Sequence, residues 1–392
     1  MSTSTRNQKR KAALLINAFT AGGAERVVSS LLSSWMGRDV VYEVLCLEKN
    51  IEYQLPKGIK VTYLSGFTGQ ESGIFKLLMI PVFAWRLARY VRKHDFTIVQ
   101  SHIYRSNYVN ILAKLFGGRQ LVQCVTHGVV SRYKSEGLLG KINLFLIKHL
   151  YPKADLLIHV TKIVKDDLNA LFPLQVEQLV IHNPCSIDEI QTLAKEPVDG
   201  CEFDPTRQYL ICVGRLISLK RIGDVIQSLS DMDENVHLIV LGDGCELEAL
   251  KATAESAGCG DRVFFLGRVD NPFKYMARAD LLVVASESES FGNVIIESFA
   301  CGTPAISSKC GGPEEIMGLR PDSQLRGESG YVVAEYGPMF DIGNTEQLRE
   351  AANYLLSQPE ESARLSKVCA EHAGEFQLSK IAARYAQVLG VS

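Results

Sequence analysis

A chain of 392 residues, 46% of them hydrophobic, has apolar material for two or three packed domains, which excludes a disordered or fibrous protein. The 42 Lys+Arg against 44 Asp+Glu argue against a nucleic-acid binder that works through overall positive charge. Residues 1–200 hold 25 Lys+Arg and 16 Asp+Glu, a difference of +9, whereas 201–392 hold 17 and 28, a difference of −11, so the first half could attract anionic lipid or phosphorylated substrate.

The basic start is followed by an apolar stretch too short for a secretory signal, and 12–18 reads as a first strand. Further strand-like runs fall around Val44 and at 61–64, 96–100, 121–125, 156–160 and 178–183. Segments of helical period lie between several of them. Continuous apolar strands alternating with helices indicate a parallel sheet covered on both faces. The segment 74–94 has two readings. Phe75, Leu78, Met79, Val82 and Phe83, with Arg86, Arg89, Arg92 and Lys93 behind them, suit a helix lying on an anionic membrane. They equally suit a helix covering the sheet, its terminal cations favoured by the helix dipole. No apolar run of 18 residues is present, so no membrane span is expected.

The Pro-containing stretch 183–207 reads as a linker, after which the pattern restarts at 209–216, 237–244, 263–267, 281–286 and 304–308, with a late strand at 330–333. A closing helix is predicted at 378–389. The ten cysteines are scattered singly, without metal or redox spacing, and Cys46, Cys124 and Cys212 read as reduced core residues.

Open parallel sheets bind ligands beyond the carboxyl ends of their strands, so strand exits carry the chemistry. Gly22-Gly23 follows the first strand, permitting a tight turn and a helix start that offers N–H groups to an anion. It matches neither the dinucleotide GxGxxG fingerprint nor the P-loop. His127, in Thr126-His127-Gly128, sits at another exit, where an imidazole can bind a sugar hydroxyl or move a proton. Arg215 and Lys220 lie across a turn into a helix, placed to neutralise a diphosphate as it departs. The sharpest signal is 287–297. A loop carrying Glu289 and Phe291 is expected to turn at Gly292 into a helix that begins near Asn293-Val294 and holds Glu297. The helix start suits phosphate, and the two carboxylates suit sugar hydroxyls. Gly242-Asp243-Gly244 and Gly311-Gly312-Pro313 are glycine-rich exits without an assigned atom-level role.

These motifs together resemble the family 4 retaining glycosyltransferases. The resemblance spans almost the whole chain and rests on GGAER at 22–26, THG at 126–128, GRLISLK at 214–220, LGDG at 241–244 and the Glu-x7-Glu stretch at 289–306. It implies the α/β GT-B architecture, two Rossmann-like domains facing across a cleft. The expected divisions are 1–188 on the acceptor side, 189–375 on the nucleotide-sugar side, and a helix within 376–392 crossing back. It further implies that Glu297 binds the nucleotide ribose and Glu289 faces the donor sugar. Arg215 and Lys220 would hold the diphosphate, Gly22-Gly23 would lie near phosphate and acceptor, and His127 would contact the transferred sugar.

The expected activity is transfer of a hexose or N-acetylhexosamine from a nucleotide-sugar, UDP-linked by family habit, to a lipid-linked saccharide in surface polysaccharide or lipopolysaccharide synthesis. No cofactor and no metal are expected: the Asp-x-Asp at 231–233 precedes a strand and reads as surface charge. The setting would be the cytoplasmic face of an anionic membrane, with no nucleic-acid partner. Glycogen- or sucrose-type synthases are the enzymatic alternative. A catalytically inactive carbohydrate-binding or complex-forming relative and an NAD-dependent oxidoreductase are alternatives of other classes.

Overall fold

The computed structural model describes residues 11–20, 22–36, 43–50, 55–200 and 202–390. Most of the basic start, Ala21 of the first glycine loop, and Cys201 lie outside them. The chain forms two compact units, Met1–Pro184 with Leu378–Ser392, and Cys185–Gln377.

The first unit is built on seven strands: β1 (Ala12–Ile16), β2 (Glu43–Cys46), β3 (Val61–Tyr63), β4 (Ile98–His102), β5 (Leu121–Thr126), β6 (Leu156–His159) and β7 (Glu177–Val180). Their order is β3-β2-β1-β4-β5-β6-β7, and every neighbouring pair is parallel. The runs AALLI and IVQSH are buried at every residue, as a sheet covered on both faces requires. Strand order reverses between β1 and β4. The loops leaving those two strands therefore flank a topological switch point.

Right-handed crossovers put the helices that follow β3, β4 and β5 on one face and the helix Gly23–Ser34 on the other. The segment 74–94 is two helices, Gly73–Leu78 and Ile80–His94, with Pro81 in the first turn of the second, where its missing N–H leaves no bond unmade. The sheet-covering reading holds for one side of this segment. Phe83, Ala84, Leu87 and Val91 cover the sheet, while Ile74, Phe75, Leu78, Val82 and Trp85 stay exposed. The closing helix, Leu378–Val388, packs on Gly23–Ser34. Trp35 Nε1 donates to the Ala382 carbonyl at 3.2 Å, and Gln123 Nε2 donates to that of Val388 at 2.8 Å.

The second unit holds β8 (Gln208–Val213), β9 (Val236–Leu241), β10 (Val263–Gly267), β11 (Leu281–Val284), β12 (Ala305–Ser308), β13 (Gln324–Arg326), β14 (Tyr331–Ala334) and β15 (Gly337–Phe340). Their order is β10-β9-β8-β11-β12-β15-β14-β13. This sheet is parallel from β10 to β15 and ends in an antiparallel meander, which the sequence pattern reduced to the single strand at 330–333. The reasons are local. β13 (QLR) is exposed throughout and shows no apolar period, and β15 opens with Gly-Pro, which reads as a break. Asp231 and Asp233 lie exposed between helix Ile222–Ser230 and β9. Cys46, Cys124 and Cys212 are buried free thiols, each pushed up to about 12 by burial.

Candidate functional site

In the second unit the exits of β8 and β11 bring a cation and a carboxylate together. After β8 the chain turns through Gly214 (φ 152), passes Arg215 and enters a single 3-10 turn, Ser218–Lys220. After β11 it runs through Ser286 and Glu289 to Gly292, whose φ of 94 is the left-handed conformation that starts the helix Asn293–Ala300. The two exits are tied directly, Glu287 N donating to the Leu219 carbonyl at 2.8 Å. Lys220 Nζ pairs with Glu289 Oε1, and Ser286 Oγ donates to the same oxygen at 3.1 Å. Gly214, Lys220, Ser286, Glu289 and Val294 line a small recess that opens to solvent.

Two glycine-rich exits lacking an assigned role at the sequence level support this site through the backbone. Glu289 N donates to the Cys310 carbonyl and Gly312 N to the Glu289 carbonyl, both at 2.8 Å, so the acid loop is clamped onto the exit of β12. A Cβ on Gly312 would stand 2.4 Å from both Phe291 N and the Ser290 carbonyl oxygen. A Cβ on Gly242 would stand 1.9 Å from the Gly214 carbonyl oxygen. Only glycine permits these approaches.

The other predicted residues of this unit lie on the same two strand exits and the helix that follows, and of them only Val294 lines the recess. Phe291 is buried in the loop, Asn293 and Val294 open the helix, and Glu297 is buried one turn further along. Arg215 is exposed, its guanidinium without a partner among the described residues, and it does not join the Lys220–Glu289 pair. Sequence reasoning missed Ser286, whose only signal was its place as the last residue of the run LLVVAS. Its carbonyl accepts from Ser308 Oγ at 2.6 Å, which fixes the strand end that aims its hydroxyl.

The first unit holds Gly22, Gly23 and His127. Gly22 is the N-cap of helix Gly23–Ser34, and the buried Glu25 folds back so that a Cβ on Gly22 would stand 2.2 Å from its Oε2. Thr20 Oγ1 donates to Glu25 Oε1 at 3.2 Å, so this helix start already holds a carboxylate. His127, just beyond β5, faces the wholly buried His102 at the end of β4, with Nε2 and Nδ1 of the two rings 3.0 Å apart. His127 keeps part of its surface open, yet enough protein surrounds it that desolvation pushes it down to about 4. Burial and the neighbouring ring hold His102 well below the ordinary histidine value as well. Both rings are therefore neutral at pH 7, suited to hydrogen bonding rather than to carrying charge. Nothing in the sequence pattern singled out His102.

The comparisons with known proteins agree with this geometry. The family described as Glycosyltransferase Family 4 matches residues 21–189, and that described as Glycosyl transferases group 1 matches 200–371. An N-acetylgalactosamine-N,N'-diacetylbacillosaminyl-diphospho-undecaprenol 4-alpha-N-acetylgalactosaminyltransferase of Campylobacter jejuni is 29% identical over 377 residues, 95% of this chain and 97% of that protein. The lipopolysaccharide core biosynthesis glycosyltransferase LpsE of Rhizobium meliloti is 31% identical over 181 residues, 46% of this chain and 49% of its own. Among solved structures, Anabaena HepE in complex with UDP superposes with a TM-score of 0.74 at 19% identity, covering 97% of this chain and 99% of that one. Two Rossmann-like sheets, each matched by its own glycosyltransferase family, establish that the chain belongs to the family 4 glycosyltransferases of GT-B fold.

Proposed function

We propose that this protein is a retaining glycosyltransferase that moves a hexose or N-acetylhexosamine from a UDP-sugar to a lipid-linked saccharide in bacterial surface-glycan synthesis. The observation that carries the reading is the Lys220–Glu289 pair in an open recess beside a helix start. A diphosphate entering there would draw Lys220 away from Glu289 and gain the N–H groups of the helix. As the sugar–oxygen bond breaks, Lys220 and Arg215 stabilise charge growing on the departing diphosphate. Glu289, released, faces the positive charge developing on the sugar. Glu297 accepts from the ribose hydroxyls. The leaving diphosphate takes the acceptor proton on the face from which the nucleophile arrives, so the anomeric configuration is retained. These roles need neither cofactor nor metal.

The UDP reading draws support from HepE, whose crystal structure holds UDP, and the lipid-linked acceptor from the diphospho-undecaprenol substrate for which the Campylobacter relative is named. The test is a binding screen of UDP- and GDP-sugars with free nucleotides and NAD as controls, followed by product NMR with and without a chelator. Retained configuration and chelator-insensitive transfer support the reading, and an inverted product overturns it. Binding without nucleotide release in the presence of acceptor would instead favour an inactive carbohydrate-binding protein.

A lipid-linked acceptor calls for a surface that meets the bilayer, and the first unit carries one that suits it. Helices Ile80–His94 and Gly137–Leu150 each precede a parallel strand, so their amino-terminal halves lie toward the carboxyl end of the sheet, the end that carries His127. Both lie on the same face, flanking the helix Tyr104–Leu115. The exposed Trp85 on one helix and Leu138, Leu139 and Ile142 on the other thus lie toward that end, with exposed Ile74 and Leu78 in the short helix before Ile80–His94 and exposed Phe145 just past the midpoint of Gly137–Leu150. Segments 72–94 and 137–150 contain Lys and Arg but no Asp or Glu, which complements an anionic bilayer. No helix among the described residues is long and apolar enough to cross a membrane. We expect the protein to sediment with vesicles containing anionic phosphatidylglycerol, and the combined Leu78→Ser, Trp85→Ser, Phe145→Ser variant to lose at least about 10-fold in that binding. Equal binding of variant and parent would rule out this surface.

A further inference from the structure

We infer that His102 fixes the tautomer of His127, so that the open nitrogen of His127, Nδ1, always presents a proton to the substrate. The inference builds on the proposed transferase and on the contact with the transferred sugar that the family resemblance implies for His127. It begins from the hydrogen bonds available to two neutral rings. His102 Nδ1 and His127 Nε2 stand 3.0 Å apart, and one proton lies between them. The opposite nitrogen of His102, Nε2, is buried and has no hydrogen-bond partner among the described residues.

Two arrangements are open to the pair. If His127 donates, His102 must carry its own proton on Nε2, burying an N–H with no acceptor. If His102 donates from Nδ1, its Nε2 bears only a lone pair. A buried N–H without a partner is the rarer and costlier case, so the second arrangement prevails. His127 Nε2 then accepts, and its proton sits on Nδ1. That atom has no protein partner among the described residues and belongs to the ring edge left open to solvent.

The backbone is committed to this placement. Ile103, next after His102, is a β-branched residue at φ 72, a conformation such side chains rarely adopt. It lets the chain end β4 and enter helix Tyr104–Leu115 while His102 stays directed at its neighbour. Strain of this kind is held where the surrounding structure over-determines it, often at functional sites.

The consequence is a specific division of labour. His127 is a hydrogen-bond donor that holds a substrate oxygen, and it does not remove the proton of the acceptor hydroxyl. His102 is a positioning residue that touches no substrate.

The test is long-range proton–nitrogen NMR on the full chain labelled with ¹⁵N-histidine at neutral pH, His127 being assigned from its missing signals in His127→Gln. The expected spectrum shows His127 protonated on Nδ1 and bare on Nε2, and the reverse pattern overturns the inference. Two variants separate tautomer control from packing. His102→Asn places an amide near the position of Nδ1 and keeps a donor. His102→Asp, when ionised, offers only an acceptor, which holds a proton on Nε2 of His127 and leaves Nδ1 no longer obliged to carry one. The aspartate variant should lose at least about 10-fold in kcat/KM, mainly through donor KM, with the asparagine variant within about 3-fold of the parent. Equal losses in the two variants count against the inference. The NMR result stands whether or not a donor is turned over, whereas a wild-type protein that releases no nucleotide from any donor counts against the proposed transferase alone.

Discussion

Replacing Lys220 by alanine is expected to lower turnover by about 10²–10³-fold, the range seen when one preorganised charge partner of a developing anion is removed. The expectation follows from what Lys220 does in each state. In the free protein it faces Glu289 in a recess where both side chains keep some contact with water, 24% and 19% exposed. An ion pair this accessible contributes little to folding, so the variant should remain folded. Its charge matters when the sugar–oxygen bond breaks and negative charge gathers on the diphosphate. Because that charge is larger in the transition state than in the bound donor, the loss should fall on kcat more than on KM. Arg215, exposed and without a protein partner among the described residues, remains to bind the ground-state diphosphate. Glu297→Ala should behave in the opposite way. It removes a buried acceptor assigned to the ribose, which does not change charge during the reaction, so donor affinity should fall by about 10-fold or more while single-turnover rates at saturation hold. Donor titration combined with single-turnover rates separates the two. If Lys220→Ala changes neither quantity, the leaving-group role is wrong.

The part of this site that could be read from the sequence is the part written in apolar strands. The strand runs and the punctuation after them placed Gly22, His127, Lys220, Glu289 and Gly292 at strand exits because a buried parallel strand is a continuous apolar word and its end is abrupt. The Lys220–Glu289 contact was not legible, since it depends on β8 and β11 being neighbours, and adjacency in a sheet is a tertiary fact. His102 was hidden for a similar reason: it meets His127 only because β4 and β5 pair in a register that sets His102 against Val125. The meander at the far edge escaped because β13 is exposed on both faces and β15 opens with Gly-Pro. Exposed apolar side chains at 74–85 carry the same hydrophobic letters as the buried ones beside them. Periodicity reports that a face is apolar and leaves open what covers it.

Gly312→Ala sets two rules of similar origin against each other, and magnitude decides between them. Gly312 begins the helix Gly312–Ile316, where alanine would ordinarily stabilise by up to about 1 kcal/mol through helix propensity and a less flexible unfolded chain. At this position the new Cβ would stand 2.4 Å from Phe291 N and from the Ser290 carbonyl oxygen. Those are backbone atoms, which cannot rotate away as a side chain would. Relief requires the acid loop to lift, which disturbs the bonds from Glu289 N to the Cys310 carbonyl and from Gly312 N to the Glu289 carbonyl. Overpacking of this sort costs about 1–3 kcal/mol, more than propensity returns, so the net sign is destabilising. Gly223→Ala supplies the control. Gly223 lies inside helix Ile222–Ser230, and a Cβ there would meet only Leu250 Cδ2 at 3.9 Å, an ordinary contact. That variant should gain about 0.4–1 kcal/mol. Denaturant midpoints of the two variants should therefore move in opposite directions from the parent. Activity should part them further, because lifting the loop carries Glu289 with it, and a displacement of about 1 Å at a reacting centre can cost about 10²-fold in rate. A Gly312→Ala protein as stable and active as Gly223→Ala would mean that the exits of β11 and β12 are not clamped as described, and that the placement of Glu289 rests on its side-chain contacts with Lys220 and Ser286.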